Sequence, residues 1–231
     1  MGAAATLKSR PNTLRAAETI CLASVNSYLL RADDGFVLVD TGKPEKREAL
    51  EARLRAAGCA PGDLRLIVLT HVDYDHAGNA HYLRSVFDAP IALHAADVPR
   101  VETGDWSLGL KPKPDKFPFL FRTMSLFVRP GAFETFTPDV LLVDGQSLGS
   151  WGLDARVLHL PGHTAGSVGI LTADGDLFCG DLLDSMHGGP SLEFFIDDMT
   201  AARSSLTRLR QLDAKEVHPG HGKPFELEQV K

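Results

Sequence analysis

Short apolar runs punctuated by Gly, Pro and Asp dominate this chain of 231 residues. Residues 24–42, SVNSYLLRADDGFVLVDTG, hold two such runs on either side of Asp33-Asp34-Gly35. That pattern predicts a β-hairpin, because Asp-Gly accepts the positive φ that a tight turn requires. The period changes in residues 45–57, EKREALEARLRAA, where Ala49, Leu50, Leu54 and Ala57 fall on one helical face and Gly58 ends the run. LRLIVLT (64–70) reads as a buried strand, GNAHYLRSVF (78–87) as a helix and PIALH (90–94) as a short strand. Beyond residue 138, ARVLHLP (155–161), SVGILT (167–172) and DLFCGD (176–181) predict strands, with Asp174-Gly175-Asp176 turning the second into the third. Residues 201–212 predict a helix with Thr200 as N-cap and Leu206 and Leu209 facing inward.

Strand pairs alternate with helices in both halves, which predicts an α/β layered architecture. No linker or low-complexity segment interrupts residues 1–231, so a single domain is expected. Residues 98–138 differ in character. They are rich in Pro, Phe and Lys, and Phe117, Leu120, Phe121, Met124, Phe127 and Val128 recur at helical spacing. Phe119 and Leu126 widen that apolar face. Such an insertion is either a helix packed on the core or a lid or pocket wall, with a homodimer contact as a further use. Arg122 and Arg129 flank it, either as solvated cations or as contacts for an anionic substrate.

The net charge of -6 argues against a nucleic-acid partner, which would ask for a basic face. No run of about 18 apolar residues is present, so no membrane span is expected. Residues 1–22 lack an unbroken apolar core of the signal-peptide kind. Cys21, Cys59 and Cys179 are odd in number and widely spaced, which fits three small core residues in a reducing compartment. A cytoplasmic location is the expectation.

The chemistry gathers where apolar runs meet Gly or Pro. LTHVDYDHAG (69–78) places His71, Asp73, Asp75 and His76 within six positions directly after a strand. His163 follows in LPGHTAGS, Asp181 in FCGD and His221 in HPGHG. Each sits at a strand-to-loop junction, the usual place for functional side chains on a rigid scaffold. Two imidazoles and two carboxylates so close would repel or compete for protons. A divalent cation turns that crowding into coordination.

The order and spacing resemble the metallo-β-lactamase superfamily. Its pattern is His-x-His-x-Asp-His, then Gly-His, Gly-Asp and a late Gly-His. Here the set is His71-x-Asp73-x-Asp75-His76, Gly162-His163, Gly180-Asp181 and Gly220-His221. LVDTG (38–42) is similar to the superfamily's early strand end. The resemblance covers about residues 20–225 and implies an αββα sandwich with a binuclear metal site at one edge. It implies that His71, Asp73 and His163 hold one cation, that Asp75, His76 and His221 hold the other, and that Asp181 bridges them. It gives Asp40 the role of a carboxylate that orients a ligating imidazole. It implies two divalent metal ions, zinc first, and metal-assisted hydrolysis by a metal-bound hydroxide, with Asp75 orienting the hydroxide and shuttling a proton.

Asp73 departs from the pattern, since most members have His there. With two cations at +4, three carboxylates and a bridging hydroxide bring the cluster to about zero, where a third imidazole in the first motif would leave about +1. That shift favours harder ions, so iron or manganese joins zinc as a candidate. The chain shows no export signal, added helical region, nucleic-acid-binding domain or flavodoxin domain. The expectation is therefore a compact hydrolase acting on a small-molecule ester, thioester or lactone. The alternative is an iron-dependent oxidoreductase of the same fold acting on a thiol or persulfide. His187, in a glycine-rich loop after Asp181, is a further pocket candidate beside Phe121 and Arg122. His81, His94, His159 and His218 read as structural. Ser27, Ser167 and Ser185 have no evident general base, so a serine hydrolase is not expected.

Overall fold

The structure is a computed structural model that describes residues 17–106, 133–186 and 188–230. Alternating and continuous apolar runs build two sheets. Strands β1 (Ala17–Leu22), β2 (Val25–Ala32), β3 (Gly35–Val39), β4 (Leu64–Val68), β5 (Ile91–His94) and β6 (Val140–Leu142) lie side by side in that order. β2 runs antiparallel to both β1 and β3, and β3 to β6 run parallel. Strands β7 (Ala155–His159), β8 (Val168–Thr172) and β9 (Asp176–Gly180) belong to the second sheet. The short strands β10 (Leu183–Asp184) and β11 (Ser191–Leu192) pair with each other, and β12 (Glu216–Pro219) and β13 (Phe225–Glu226) complete the second sheet. Its order is β13-β12-β9-β8-β7, with β12 parallel to β9.

The two sheets pack face to face. Tyr28, Val37, Val39, Leu66 and Val68 from the first meet Val157, Val168, Ile170 and Phe178 from the second. Helices cover both outer faces. Leu50 and Leu54 of α1 (Arg47–Ala56) and Leu83 and Phe87 of α3 (Ala80–Phe87) pack on Leu38, Ile67 and Ile91. A one-turn helix, α2 (Tyr74–Ala77), precedes α3, and α4 (Val98–Thr103) follows β5. On the opposite face, Ala202, Leu206 and Leu209 of α5 (Met199–Leu209) pack on Leu158, Leu171 and Leu177. The layers are helix, sheet, sheet, helix, the αββα sandwich expected. Among the described residues no helix is long and apolar enough to cross a membrane.

The hairpin, α1, α3 and the strands expected after residue 138 are present. Gly35 closes the hairpin with φ +112, and a Cβ there would meet the Asp63 carbonyl oxygen at 2.2 Å. Two expectations need correction. The N-cap of α5 is Asp198, whose Oδ1 accepts from the amides of Thr200 and Ala201 at 2.9 and 3.0 Å. Its extended backbone (φ -131, ψ 97) lets the carboxylate reach two otherwise unpaired donors, and Thr200 already lies in the first turn. Cys21 is exposed, because strand alternation in β1 points it away from the core. Cys59 and Cys179 are buried, and burial pushes their thiols up to about 11 and about 12, so neither is a thiolate near neutral pH.

One rim collects the ends that matter. Asp40 follows β3, His71 follows β4, Asp181 follows β9, and His221 follows β12. These pairs of strands are parallel, so their carboxyl ends open on the same side. Backbone bonds stitch the rim across the sheets: Val168 N donates to Thr70 O at 2.7 Å, and Asn26 N donates to Gly220 O at 2.9 Å.

Candidate metal centre

The residues singled out in the four motifs converge. Asp73 Oδ2 lies 3.2 Å from His163 Nε2 and 3.9 Å from His71 Nε2. On the other side, His221 Nε2 is 3.5 Å from His76 Nε2 and 3.8 Å from Asp75 Oδ2. Asp181 sits between the two sets. Its Oδ2 is 3.8 Å from His71 Nε2, 4.0 Å from His163 Nε2 and 3.2 Å from His221 Nε2, and its Oδ1 is 3.3 Å from His76 Nε2. Two ligands held at about 2.0–2.1 Å around one tetrahedral cation would stand about 3.3 Å apart, so these spacings suit coordination.

The imidazoles are aimed by their other nitrogens. His71 Nδ1 meets Thr70 Oγ1 at 3.0 Å, and that hydroxyl donates to Asp40 Oδ2 at 2.8 Å. His76 Nδ1 meets Asp40 Oδ2 at 2.9 Å, His221 Nδ1 meets Ser24 O at 2.7 Å, and His163 Nδ1 meets the carbonyl of Phe195. Every partner accepts, so each Nδ1 carries the proton and each Nε2 keeps its lone pair for the centre. Asp40 thus steers His76 directly and His71 through Thr70. It does so from a left-handed backbone (φ 59), whose amide is held by Val68 O at 2.9 Å.

Two further observations bear on whether this set suits cations. His71 Nε2 and Asp181 Oδ1 are buried with no hydrogen-bond partner among the described residues. Buried polar atoms are normally paired, and a cation would satisfy both. Four imidazole nitrogens and three carboxylates also form a donor set typical of zinc, iron or manganese. The residues fit two divalent ions.

Protons compete for the same groups. Burial alone would lower His163 and His221, but Asp73 beside the first and Asp181 beside the second outweigh it and raise each to about 9. His76 goes the same way, well above its ordinary value, because Asp181 and Asp40 overcome burial. His71 goes down, through burial and the neighbouring His76 and His163. Burial would raise Asp73, yet His163, His71 and Arg100 bring it down to about 2. Asp181 lies well below the usual carboxylate range, held there by His76 and His221 against burial. A raised histidine is protonated below its shifted value and must lose that proton to bind a cation. With His76, His163 and His221 all raised, zinc binding to chelator-stripped protein should therefore release about three protons at pH 7 and tighten as pH rises toward about 9. Calorimetry in buffers of different ionisation enthalpy reads the number, and a value of zero would contradict this electrostatic picture.

Three supporting residues carry no sequence signal of the motif kind. Asp97, 2% exposed, takes the amides of Val72 at 3.2 Å and Gly166 at 3.0 Å and the Thr164 hydroxyl at 2.8 Å. It fastens the loop after His71 to the loop after His163. Arg100 on α4 donates to Asp73 Oδ1 at 3.2 Å and to Asp197 Oδ2 at 3.1 Å. For Asp97 and Arg100 the only local hint is a polar side chain within the apolar spacing of DVPRV, and Asp197 has none.

Other candidates sit elsewhere. Phe121, Arg122 and His187 lie outside the described residues, as does most of the insertion 98–138. His94 and His159 stack on each other with centroids 4.1 Å apart. His218 is buried against Phe178 and Tyr28, with Asp176 and Glu216 near its Nε2.

Comparison with known proteins follows the same residues. The sequence profile of the metallo-beta-lactamase superfamily matches residues 22–221, from the end of β1 to His221. Probable metallo-hydrolase YflN of Bacillus subtilis (strain 168) is 26% identical over 226 residues, covering 90% of this chain and 83% of that protein. The hydroxyacylglutathione hydrolase of Anaeromyxobacter dehalogenans (strain 2CP-C) is 30% identical over 202 residues, which are 84% of this chain but 60% of that protein. Among solved structures, TTHA1623 in a di-iron-bound form is 28% identical with a TM-score of 0.65, covering 92% of this chain and 95% of that one. With the match running through every loop that contributes to the centre, the chain belongs to the metallo-beta-lactamase superfamily.

Proposed function

We propose that this metallo-hydrolase family member uses two divalent cations, zinc first, to hydrolyse a small ester, thioester or lactone. One observation carries the reading: six donors fall into two sets of three, and a seventh, Asp181, stands between the sets. His71, Asp73 and His163 would hold one cation, and Asp75, His76 and His221 the other, with Asp181 shared. When bound, such ions polarise a carbonyl oxygen and lower the pKa of water from about 16 to about 7.

The chain's own residues set the direction of approach. Asp75 is the most open of the seven, with 25% of its side chain exposed and His221 next at 17%, while His71 and His76 are sealed. Substrate therefore enters on the Asp75 and His221 side. Asp75 there takes a proton from the attacking water on its carboxylate and returns it to the leaving group. The exposed apolar side chains of Met186, Phe194 and Phe195 lie in the loops that hold His221 and His163. They favour a substrate with an apolar body, the character of an acyl ester or lactone.

A panel of lactones, thioesters, esters and phosphodiesters tests the reading. Turnover is expected on the first three classes, and an Asp75→Ala variant is expected to lose it. Hydrolysis of phosphodiesters alone would replace the proposed substrate class. Full turnover by Asp75→Ala with both ions retained would remove the proton-shuttle role. The second reading, an iron-dependent oxidoreductase acting on a thiol or persulfide, is favoured by the di-iron form of one relative. Stoichiometric iron after expression without added metal, with oxygen consumed on a thiol and no ester cleaved, would establish it instead.

A further inference from the structure

Asp73 is the position where an imidazole is usual, and its two oxygens are divided between two tasks. Oδ2 faces His163 and His71, while Oδ1 accepts from Arg100 Nη1 at 3.2 Å. Arg100 is 5% exposed, so this is no loose surface pair. Its other nitrogen, Nη2, is held by Asp197 at 3.1 Å. Asp197 N in turn donates to His163 O at 3.3 Å, and Asp198 N donates to Gly162 O at 2.9 Å. The path from Asp73 through Arg100 and Asp197 thus returns to His163, which itself faces Asp73. Two side chains of the same candidate set are cross-braced through one guanidinium.

A free carboxylate differs from imidazole in two ways. It can offer two oxygens to one cation, and it brings a full negative charge. A guanidinium on Oδ1 removes the first difference and reduces the second, since its charge is shared with Asp197. It occupies the second oxygen, leaving Oδ2 as a single donor, and it offsets part of the charge at contact distance. Asp197 holds the guanidinium from the far side, so Arg100 stays oriented toward Asp73. We infer that Arg100 is a positioning residue that makes Asp73 serve in place of an imidazole, and that Asp73 and Arg100 act as one coupled unit. The inference rests on the reading of Asp73 as a ligand.

Coupling is the property to measure. Zinc stoichiometry by mass spectrometry and affinity by chelator competition are compared on the full chain for Asp73→Ala, Arg100→Met, Arg100→Lys, Asp73→His and the double variant Asp73→His/Arg100→Met. Circular dichroism and a thermal melt confirm folding. Removal of the partner that orients a ligand costs about 10–100-fold in metal affinity, and Arg100→Met should fall in that range at one of the two ions. Arg100→Lys keeps the charge but loses the two-pronged geometry, and should lose less. Asp73→His alone sets an imidazole against the guanidinium donors and should also bind weakly. The double variant removes the opposing donor and should bind better than either single variant.

A merely structural Arg100 would leave the double variant no better than the product of the singles, and that result overturns the proposal. So does wild-type zinc affinity in both Arg100 variants when Asp73→Ala has lost an ion; Asp73 then remains a ligand and only the coupling fails. Retention of both ions by Asp73→Ala would remove the ligand reading itself and the proposal with it. If Arg100→Met does not fold, Arg100→Lys and Asp73→His decide: unchanged zinc affinity in both overturns the coupling.

Discussion

Asp181→Ala should release both cations and lower hydrolysis more than 100-fold, beyond the ~10–100-fold typical of losing an orienting partner. Asp181 is the carboxylate that faces both sets, within 3.2–4.0 Å of four imidazole nitrogens. Its loss leaves each set with three donors and nothing shared. Asp181→Asn separates charge from shape, since the amide fills the same volume. In the chelator-stripped protein, loss of the Asp181 charge should also bring His221 down from about 9, because burial then acts against fewer opposing carboxylates. Metal analysis after desalting and a proton NMR titration of the imidazoles read the two effects. Two ions retained by Asp181→Ala would dismantle the shared-ligand arrangement.

Gly220→Ala is the second large effect, and the substitution looks harmless on paper. A Cβ at Gly220 would stand 2.0 Å from Asp181 Oδ1 and 2.7 Å from His76 Cε1. Neither neighbour has room to retreat, since Asp181 is 6% exposed and His76 is fully buried. The backbone is pinned as well: Gly220 N donates to Gly180 O at 2.9 Å and Gly220 O accepts from Asn26 at 2.9 Å. The added methyl must push Asp181 and His76 apart or unpick the rim. Overpacking of this kind costs about 1–3 kcal/mol in stability, and zinc affinity should fall with it. Gly149→Ala is the control, because its Cβ would meet only Ser147 Oγ at 3.3 Å. Equal melting temperatures and equal zinc content for the two variants would show that the space around Gly220 is not tight.

The sequence by itself determined the elements and the loops that carry the chemistry. Hairpin turns, apolar strands and the faces of α1 and α3 are set by local patterns, in which neighbours along the chain decide the outcome. His71, Asp73, Asp75, His76, His163, Asp181 and His221 were legible because each follows an apolar run and sits against Gly or Pro, or within six positions of a partner. Resemblance to a known family added the pairing of those loops, which local pattern could not supply.

Tertiary structure alone decided what braces them. Arg100 meets Asp197 across 97 positions and Asp73 across 27, and a lone arginine in VPRVET carries no mark of either. Asp97 ties Val72 to Thr164 in the same way, and Gly220 is required by the space beside Asp181 rather than by a turn. The motif residues alone place three carboxylates around the cations, Asp73 among them. The fold sets the buried Arg100 against Asp73 and shares it with Asp197, which changes that charge balance. Side chains of this kind act through contacts between distant segments, and those contacts exist only once the two sheets and α4 have closed around one rim.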